Sequence, residues 1–454
     1  MLLVSSKVKI NMTKTKIPQS TIARASRLFW SGAKIAAREV SERIGGVVGA
    51  STPESSLATK IKQTRDLVSA LSQLKGAAMK AGQLLSLEFS DILPPEVVDV
   101  LRTLHDSGTF MPMDQVRYIL LRELGSERLS ELEDLTSQPI AAASIGQVHR
   151  AVLRGRPVAI KIQFPGVAAT IDSDLEALNN IAKTITQVRG KNINFDDFFE
   201  DLAISFKKEA DYLLEAQAVD LYRKKMNSGS YVIPEVFHEF STGKVLTLSF
   251  EEGVRINDWI KSKPSREEAH HFGTLLINLI IDEFFTFGLV QTDPNYGNFL
   301  YRPDKRQIVL LDFGATTAYE AKFRREIREL FHVIAQKDQK KLVEMIFDYE
   351  FLDRREPPEV TELMVLMLDR VVKIFNPKLQ PFRFNDDTYL REIREMSVKF
   401  VMAVQYSPPA KKLTLLNRKL GGIFHLLKDL GVEMDMRPFV DRVLNTPIQE
   451  DDRS

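Results

Sequence analysis

Three short polar motifs stand at the ends of apolar segments, and their order limits the folds open to this chain. The first is Val158-Ala159-Ile160-Lys161, a strand-like run that ends in a lysine. The second is the loop from Asp293 to Asn298, which places a carboxylate and an amide five residues apart. The third is Asp312-Phe313-Gly314, directly after the apolar run from Val309 to Leu311. Each motif alone is common, but all three in this order rarely arise by chance.

The interpretation that unites the three motifs is a protein-kinase-like ATP site. Kinases hold the nucleotide phosphates with a strand lysine, here Lys161, and orient the nucleophile with a loop aspartate, here Asp293. The loop asparagine and the later aspartate, Asn298 and Asp312, offer the oxygen ligands that Mg²⁺ prefers. We therefore expect ATP and Mg²⁺ as cofactors. Taken singly, Lys161 would be an ordinary edge charge and the loop an ordinary turn.

The length and composition of the chain set outer limits on its function. It has 454 residues, no cysteine and a net charge of +1. This length permits two or three domain-sized units, and the lack of cysteine excludes disulfides, thiolate metal sites and a cysteine nucleophile. The near-neutral charge gives no reason to expect a nucleic-acid partner.

Periodicity along the chain predicts an α+β fold of the protein-kinase-like, two-lobed kind. It would have a small antiparallel-sheet N-lobe, a helical C-lobe and an added N-terminal helical extension. Strand character at 145–152 and 157–162, joined by a turn at 154–156, begins the small sheet. The expected segments are a basic N-terminal helix (1–50), a helical extension (51–130), the N-lobe (131–252), the C-lobe (253–446) and a disordered tail (447–454).

Further site residues are predicted from their position between the three motifs. A long helical run at 195–226 carries the acids Glu209, Asp211 and Glu215, and we expect Glu215 to form the ion pair that positions Lys161. The segment 249–253, which includes Glu251, follows the last strand of the small sheet. It is the expected hinge against the adenine.

Two departures from protein kinases are informative. Alanines replace most glycines of the flap expected over the phosphates, and their Cβ atoms limit close approach of the backbone. The residues of this flap are Ala141, Ala142, Ala143, Ser144 and Gln147. The alternative for them is a packing turn. After Gly314, the short segment 315–320 leaves no room for an activation segment or its Ala-Pro-Glu anchor, so a protein substrate is disfavoured.

Several motifs together resemble one known family. They are Lys80-Ala81-Gly82-Gln83, the alanine-rich loop at 141–147, Glu209-Ala210-Asp211, and the stretches 291–295 and 311–316. Between Lys75 and about Leu427 the chain is similar to the UbiB family of atypical kinases, a quinone-associated group that includes coenzyme Q biosynthesis kinases. Gln291 resembles the coenzyme Q branch, whereas Thr317 stands where that branch often has arginine.

The resemblance implies that the Lys80 helix covers the nucleotide site, with Lys80 near Glu209 and Asp211 among the catalytic residues. It also implies an ATPase or small-molecule kinase that supports ubiquinone biosynthesis at a membrane. The implied partners are lipid-like quinone precursors and quinone-biosynthesis proteins. Two alternatives stay open: a small-molecule phosphotransferase like the aminoglycoside and choline kinases, against which the Lys80 motif argues, and an ATP-gated, non-catalytic scaffold.

The first part of the chain is strongly basic. Eight lysines and arginines precede Glu39, which is the first acidic residue. On a helix, Arg24, Arg27, Lys34 and Arg38 share one face, an arrangement suited to an anionic membrane or to a solvated surface helix. An organelle transit peptide has a similar composition. We expect a cytoplasmic protein with peripheral contact at the inner membrane, on the matrix side in a eukaryote.

Overall fold

The structure is a computed structural model. It describes residues 81–82, 84–85, 110–143, 145–188, 195–226, 229–293, 295–407 and 411–450. The basic helix expected at 1–50, Lys80 and Ser144 lie outside the described residues. The chain forms two compact units, of which one includes Gln163–Lys207 and the other includes Met111–Ala143, Gln147–Ile162 and the chain from Lys208 onward.

The elements of the first half alternate between helices and a small sheet. In chain order they are α1 Met113–Ser130, β1 Leu132–Glu133, β2 Ala141–Ala143, β3 Gly146–Leu153, β4 Arg156–Gln163, α2 Val167–Val188, α3 Asp196–Glu209, α4 Tyr212–Lys225, β5 Tyr231–Val232 and β6 Val245–Ser249.

The second half is mainly helical. Its elements are β7 Val254–Arg255, α5 Ile256–Lys261, α6 Arg266–Ile281, a π-helical turn Asp282–Phe287, β8 Leu289–Gln291, β9 Phe299–Arg302, β10 Gln307–Leu310, β11 Thr316–Ala318, α7 Ala321–Gln336, α8 Gln339–Asp348, α9 Pro358–Val372, β12 Phe382–Arg383, α10 Asp387–Ala403, α11 Lys411–Asp429, β13 Glu433–Met434 and α12 Arg437–Asn445.

The N-lobe sheet has the strand order β1-β3-β4-β6, with β2 beside β3. A two-residue turn joins β3 to β4, and both of its residues, Arg154 and Gly155, have positive φ. Such a turn matches the natural twist of a β-hairpin. Val158, Ile160 and Ile162 alternate along β4 and are fully buried. The predicted antiparallel-sheet N-lobe is confirmed.

The C-lobe contains a second sheet that the sequence did not predict. Its order is β5-β10-β9-β7, and β10 runs parallel to β5 and antiparallel to β9. β5 covers only Tyr231–Val232 and pairs with the strand that leads to Asp312, while Val236 forms an isolated bridge with Leu248 of β6. This pairing fixes the start of the Asp-Phe-Gly motif.

The helical run predicted at 195–226 is interrupted. α3 ends at Glu209, and α4 begins at Tyr212 with Asp211 as its N-cap. The Leu213 N–H donates to Asp211 Oδ1 at 3.0 Å, which satisfies one of the unpaired donors of the first helical turn. The expectation of one continuous helix is corrected at this break.

The C-lobe core is built around α6. A capping box starts this helix, because Ser265 and Glu268 exchange side-chain to backbone hydrogen bonds. Phe272, Leu276 and Leu279 are fully buried on its inner face. Among the described helices, none is long and apolar enough to cross a membrane.

The described part of the predicted tail is bound to the C-lobe. The carbonyl of Gln449 accepts a hydrogen bond from Arg324 Nη2 at 2.7 Å, and Glu450 pairs with Arg325 at 2.6 Å. This differs from the disordered tail expected at 447–454, because the buried Arg324 guanidinium needs acceptors and the tail backbone supplies one. Residues 451–454 lie outside the described part.

Candidate functional site

Lys161 lies at the centre of a buried cluster of charges. Its Nζ atom is 2.6 Å from Glu215 Oε1 and 3.2 Å from Asp312 Oδ2. The strand register places Lys161 opposite Leu246 of β6, between the buried side chains of Ile160 and Ile162. The predicted ion pair between Lys161 and Glu215 is therefore present.

The charges of this cluster support one another. Burial by itself would lower the pKa of Lys161, but Asp312 and Glu215 outweigh burial and raise the pKa above its usual value. Burial also raises the pKa of Glu215 to about 7, against the opposing charge of Lys161. Lys161 is thus a permanent cation held between two carboxylates.

The first turn of α4 positions Glu215. Asp211 caps this helix, and the Phe313 N–H donates to Glu215 Oε1 at 3.3 Å, so the carboxylate also contacts the Asp-Phe-Gly backbone. A side chain at Gly314 would lie 3.4 Å from Asp312 Oδ1, 3.5 Å from Glu209 Cγ and 3.6 Å from Glu215 Oε2. The side chains of Asp312, Glu209 and Glu215 therefore pack closely around Gly314.

The loop between β8 and β9 brings Asp293 and Asn298 together. Asn298 Nδ2 donates to the Asp293 carbonyl at 3.3 Å, and the Asn298 carbonyl accepts from the Leu311 N–H at 2.9 Å. Asn295 closes the loop, because its Oδ1 accepts from the Gly297 N–H at 2.8 Å. The loop is thus tied to the strand end that carries Asp312.

Asn298 and Asp312 fit a magnesium ion. Both residues line one small cavity, and because Asn298 Nδ2 donates to the Asp293 carbonyl, Oδ1 is the atom that Asn298 would offer to a cation. In the described part of the chain, no three His, Cys, Asp or Glu side chains are grouped to hold a metal. Mg²⁺ usually binds through one or two protein oxygens together with substrate phosphates, so two ligands suffice.

The segment after Gly314 is fixed in a strand. β11 pairs antiparallel with β8, with Thr316 opposite Gln291. Thr292 also donates to the Ala315 carbonyl from both its N–H, at 3.1 Å, and its Oγ1, at 2.8 Å. α7 follows almost at once. The segment therefore has no free length on which to dock a peptide.

The structure changes the interpretation of the predicted flap. Ala141, Ala142 and Ala143 form strand β2 beside β3. Gln147 is fully buried, and its amide bonds to the Met111 N–H at 2.7 Å and to the His149 ring at 2.8 Å. Its side chain is hydrogen-bonded inside the lobe, and the expected contact of Gln147 with a nucleotide stays a prediction.

The predicted hinge is held in place by side chains. Glu251 Oε2 pairs with Arg302 at 2.8 Å, and Glu251 Oε1 accepts from Ser249 Oγ at 2.7 Å. Arg302 also donates to the Glu252 carbonyl at 2.7 Å. These bonds tie the end of β6 to β9 and fix the backbone that would face an adenine.

Four aromatic and charged neighbours of the site, Tyr212, Tyr222, Glu283 and Lys419, were not predicted from the sequence. The Tyr212 ring lies 5.7 Å from Lys161 Nζ, and the Tyr222 and Phe313 rings are 4.8 Å apart in an edge-on contact. Glu283 and Lys419 form a buried ion pair at 3.3 Å. The signal in the sequence was Glu283, which follows Asp282 within the apolar stretch 274–290. A carboxylate in such a stretch indicates a buried charge with a partner.

A small antiparallel sheet, a strand lysine paired with a helix glutamate, and a nearby Asp-Phe-Gly aspartate together define a protein-kinase-like protein. The family model for the ABC1 atypical kinase-like domain matches residues 103–346. The chain therefore belongs to the ABC1, or UbiB, family of atypical kinases.

Individual relatives agree with this assignment. The chain is 30% identical over 436 residues to mitochondrial atypical kinase COQ8 of Saccharomyces cerevisiae, covering 94% of this chain and 85% of that protein. It is 28% identical over 440 residues to COQ8 of Schizosaccharomyces pombe, covering 94% and 70%. A Mycobacterium tuberculosis protein, solved as a complex with erythromycin, superposes with a TM-score of 0.58 at 25% identity, covering 87% of this chain and 99% of that one.

Proposed function

We propose that this protein binds ATP with Mg²⁺ around Lys161 and acts as an atypical kinase or ATPase that supports ubiquinone biosynthesis. The observation that carries the proposal is the Lys161 ammonium, held between Glu215 and Asp312. Membership of an atypical kinase family gives the class of reaction, which is transfer of a phosphoryl group. Water or a small hydroxyl compound is the proposed acceptor.

Each residue of the site has a proposed role. Lys161, oriented by Glu215, contacts the α- and β-phosphates, and Asp293 orients the nucleophile. Asn298 and Asp312 would hold Mg²⁺, which when bound offsets the negative charge of the phosphates. In hydrolysis the water oxygen bonds to the γ-phosphorus while the bond to the β,γ-bridging oxygen breaks, and the water proton passes to Asp293 or to the released phosphate.

The remaining predicted residues complete the nucleotide site in this proposal. The backbone beside Glu251 faces the adenine, the Ala141–Ala143 strand flanks the phosphates, and Glu209 and Asp211 act with Lys80 at the cover of the site. The fixed segment between Gly314 and α7 supports a small acceptor over a peptide. Protein kinases dock their peptide substrates on a long activation segment.

The pathway part of the proposal is supported by the relatives, which are named as mitochondrial COQ8 atypical kinases. By analogy, the partners are lipid-like quinone precursors and quinone-biosynthesis proteins. The protein would work at the inner membrane through a peripheral contact, on the matrix side in a eukaryote or on the cytoplasmic side in a bacterium.

Two substitutions separate catalysis from nucleotide-gated switching. We expect Asp293→Asn to retain Mg²⁺-dependent ATP binding and to lose phosphate release, and Asp312→Asn to lose both. Asp304→Asn, on the exposed turn after β9, is the control. If Asp293→Asn keeps full phosphate release, Asp293 has no catalytic role. Biological function retained by a hydrolysis-dead Asp293→Asn variant would favour the ATP-gated scaffold.

A further inference from the structure

The turn that follows α6 carries a buried acid. α6 runs into the π-helical turn Asp282–Phe287, and Glu283 on this turn is fully buried. Single π-helical turns within helices are often found at functional sites. A buried carboxylate needs partners, because leaving its charge unpaired would cost several kcal/mol.

Glu283 has partners on three different elements. The Tyr222 hydroxyl of α4 donates to Glu283 Oε1 at 2.9 Å, and the Gln291 N–H of β8 lies 3.5 Å from the same oxygen. Lys419 of α11 places its Nζ atom 3.3 Å from Glu283 Oε2. Both side chains of this ion pair are 1% exposed, so the pair is shielded from water and salt.

These contacts lead to the catalytic loop. Lys419 Nζ also donates to Gln291 Oε1 at 3.4 Å and lies 5.5 Å from the centre of the Phe299 ring. Gln291 is the last residue of β8, two positions before Asp293, and Phe299 directly follows Asn298. Lys419 therefore contacts both ends of the loop that carries Asp293 and Asn298.

Stability alone does not account for the pair. Replacing a buried ion pair by apolar or neutral side chains of similar size is often neutral or stabilising, because two charges need no longer be desolvated. Apolar side chains at these positions could not hold Gln291, whereas Lys419 fixes its amide by a directed hydrogen bond. Small errors in the position of catalytic groups are costly to rate.

We propose that Lys419 is a positioning residue that holds the catalytic loop through Gln291. The inference rests on the proposed function and deepens it, since it assigns a task to α11, far along the chain from the kinase-like motifs. Lys419 contacts no bound nucleotide in this account. It acts on the geometry of Asp293 and Asn298.

The test compares stability with turnover in the purified full-length chain. The variants are Lys419→Met and the double variant Glu283→Gln with Lys419→Met. The control is Lys428→Met on the same helix as Lys419, which removes only an ion pair with the exposed Asp387. Glutamine at 283 can still accept from Tyr222, so the double variant removes both charges and the Gln291 bond. Thermal melting, kcat and KM for Mg-ATP are measured for each.

We expect Lys419→Met to melt lower than wild type, because Glu283 is left unpaired. The double variant should recover the melting temperature while its kcat stays roughly tenfold low and its KM stays within about twofold. Recovery of both kcat and melting temperature in the double variant would overturn the proposal, since the pair would then be structural only.

A single substitution covers the case in which the double variant fails to fold. Gln291→Met leaves the Glu283–Lys419 pair intact and should give the same roughly tenfold loss of kcat. Unchanged turnover in Gln291→Met overturns the proposal. Failure of the proposed function is seen separately, as a wild-type protein without Mg²⁺-dependent ATP binding or turnover, and it would remove the basis of the inference as well.

Discussion

Lys161 Nζ lies 3.2 Å from Asp312 Oδ2, although 151 residues separate the two along the chain. The contact joins the N-lobe sheet to the aspartate proposed to hold Mg²⁺. Since a metal ion would draw on the same carboxylate, Glu215 is the partner that keeps Lys161 in place when the site is filled.

Glu215→Gln should weaken Mg-ATP binding by about tenfold, because the lysine loses its second anion. Removing one partner of a buried pair typically costs about 3–5 kcal/mol, and we expect about 3 kcal/mol because Asp312 remains. Calorimetric titration and urea unfolding measure the two effects. Glu239→Gln, which removes an exposed partner of Arg154, should change neither. Wild-type affinity in Glu215→Gln would contradict the role given to the pair.

The N-cap of α4 can be tested without touching the charge cluster. Asp211→Ala should lower the free energy of unfolding by about 1 kcal/mol, because the Leu213 N–H loses its acceptor. Asp211→Asn should be close to wild type, since asparagine caps as well as aspartate. Urea unfolding of both variants decides this. Equal loss in the two variants would mean that the charge of Asp211 matters, as expected for a site acid.

Gly288 stands where no other residue fits. Its φ is 68°, and an added Cβ would lie 2.8 Å from the Tyr319 carbonyl oxygen and 2.8 Å from Arg324 Cζ. Gly288→Ala should destabilise the C-lobe by about 3 kcal/mol through strain and steric overlap. Gly431→Ala is the matched control, with a φ of 62° and open space around it, and should cost only about 1 kcal/mol. If chemical denaturation showed equal losses of unfolding free energy in the two variants, steric overlap at Gly288 would be ruled out.

The hydrogen-bonded carboxylate of Glu356 should make the free energy of unfolding fall in acid. Burial opposes its charge, but Ser407 Oγ and the N–H groups of Gln405, Tyr406 and Ser407 donate to its carboxylate and hold its pKa below the ordinary 4.5. A lowered folded-state pKa adds stability above pH 4.5 that is lost as pH falls through the folded value. Unfolding curves from about pH 7 to pH 3 should show this. Glu356→Gln should flatten the dependence, and an unchanged slope would contradict the assignment.

Short-range patterns were enough to predict where several residues of the candidate site lie in the fold. Strand alternation placed Lys161 on β4, and motif spacing placed Asp293, Asn298 and Asp312 around one loop and one strand end, where the structure has them. Glu215 was also predicted as the partner of Lys161, because a strand lysine of a kinase-like site usually pairs with a glutamate on a helix of the same lobe.

Contacts between distant segments were not predictable in the same way. The parallel pairing of β5 with β10 and the pairing of β11 with β8 depend on tertiary packing, which no local pattern records. Gln147 lies in a segment whose small residues are typical of a flap, yet its side chain is buried and hydrogen-bonded to Met111 and His149. Lys419 lies in an ordinary amphipathic helix, and only the fold brings it to Glu283.

The role of this protein in quinone synthesis is tested by the ubiquinone content of cells that lack it and are rescued with wild type or with Asp312→Asn. We predict that quinone falls on deletion and that wild type restores it, while Asp312→Asn, expressed at the same level, does not. Full restoration by Asp312→Asn would contradict the claim that metal-bound nucleotide at this site supports quinone synthesis.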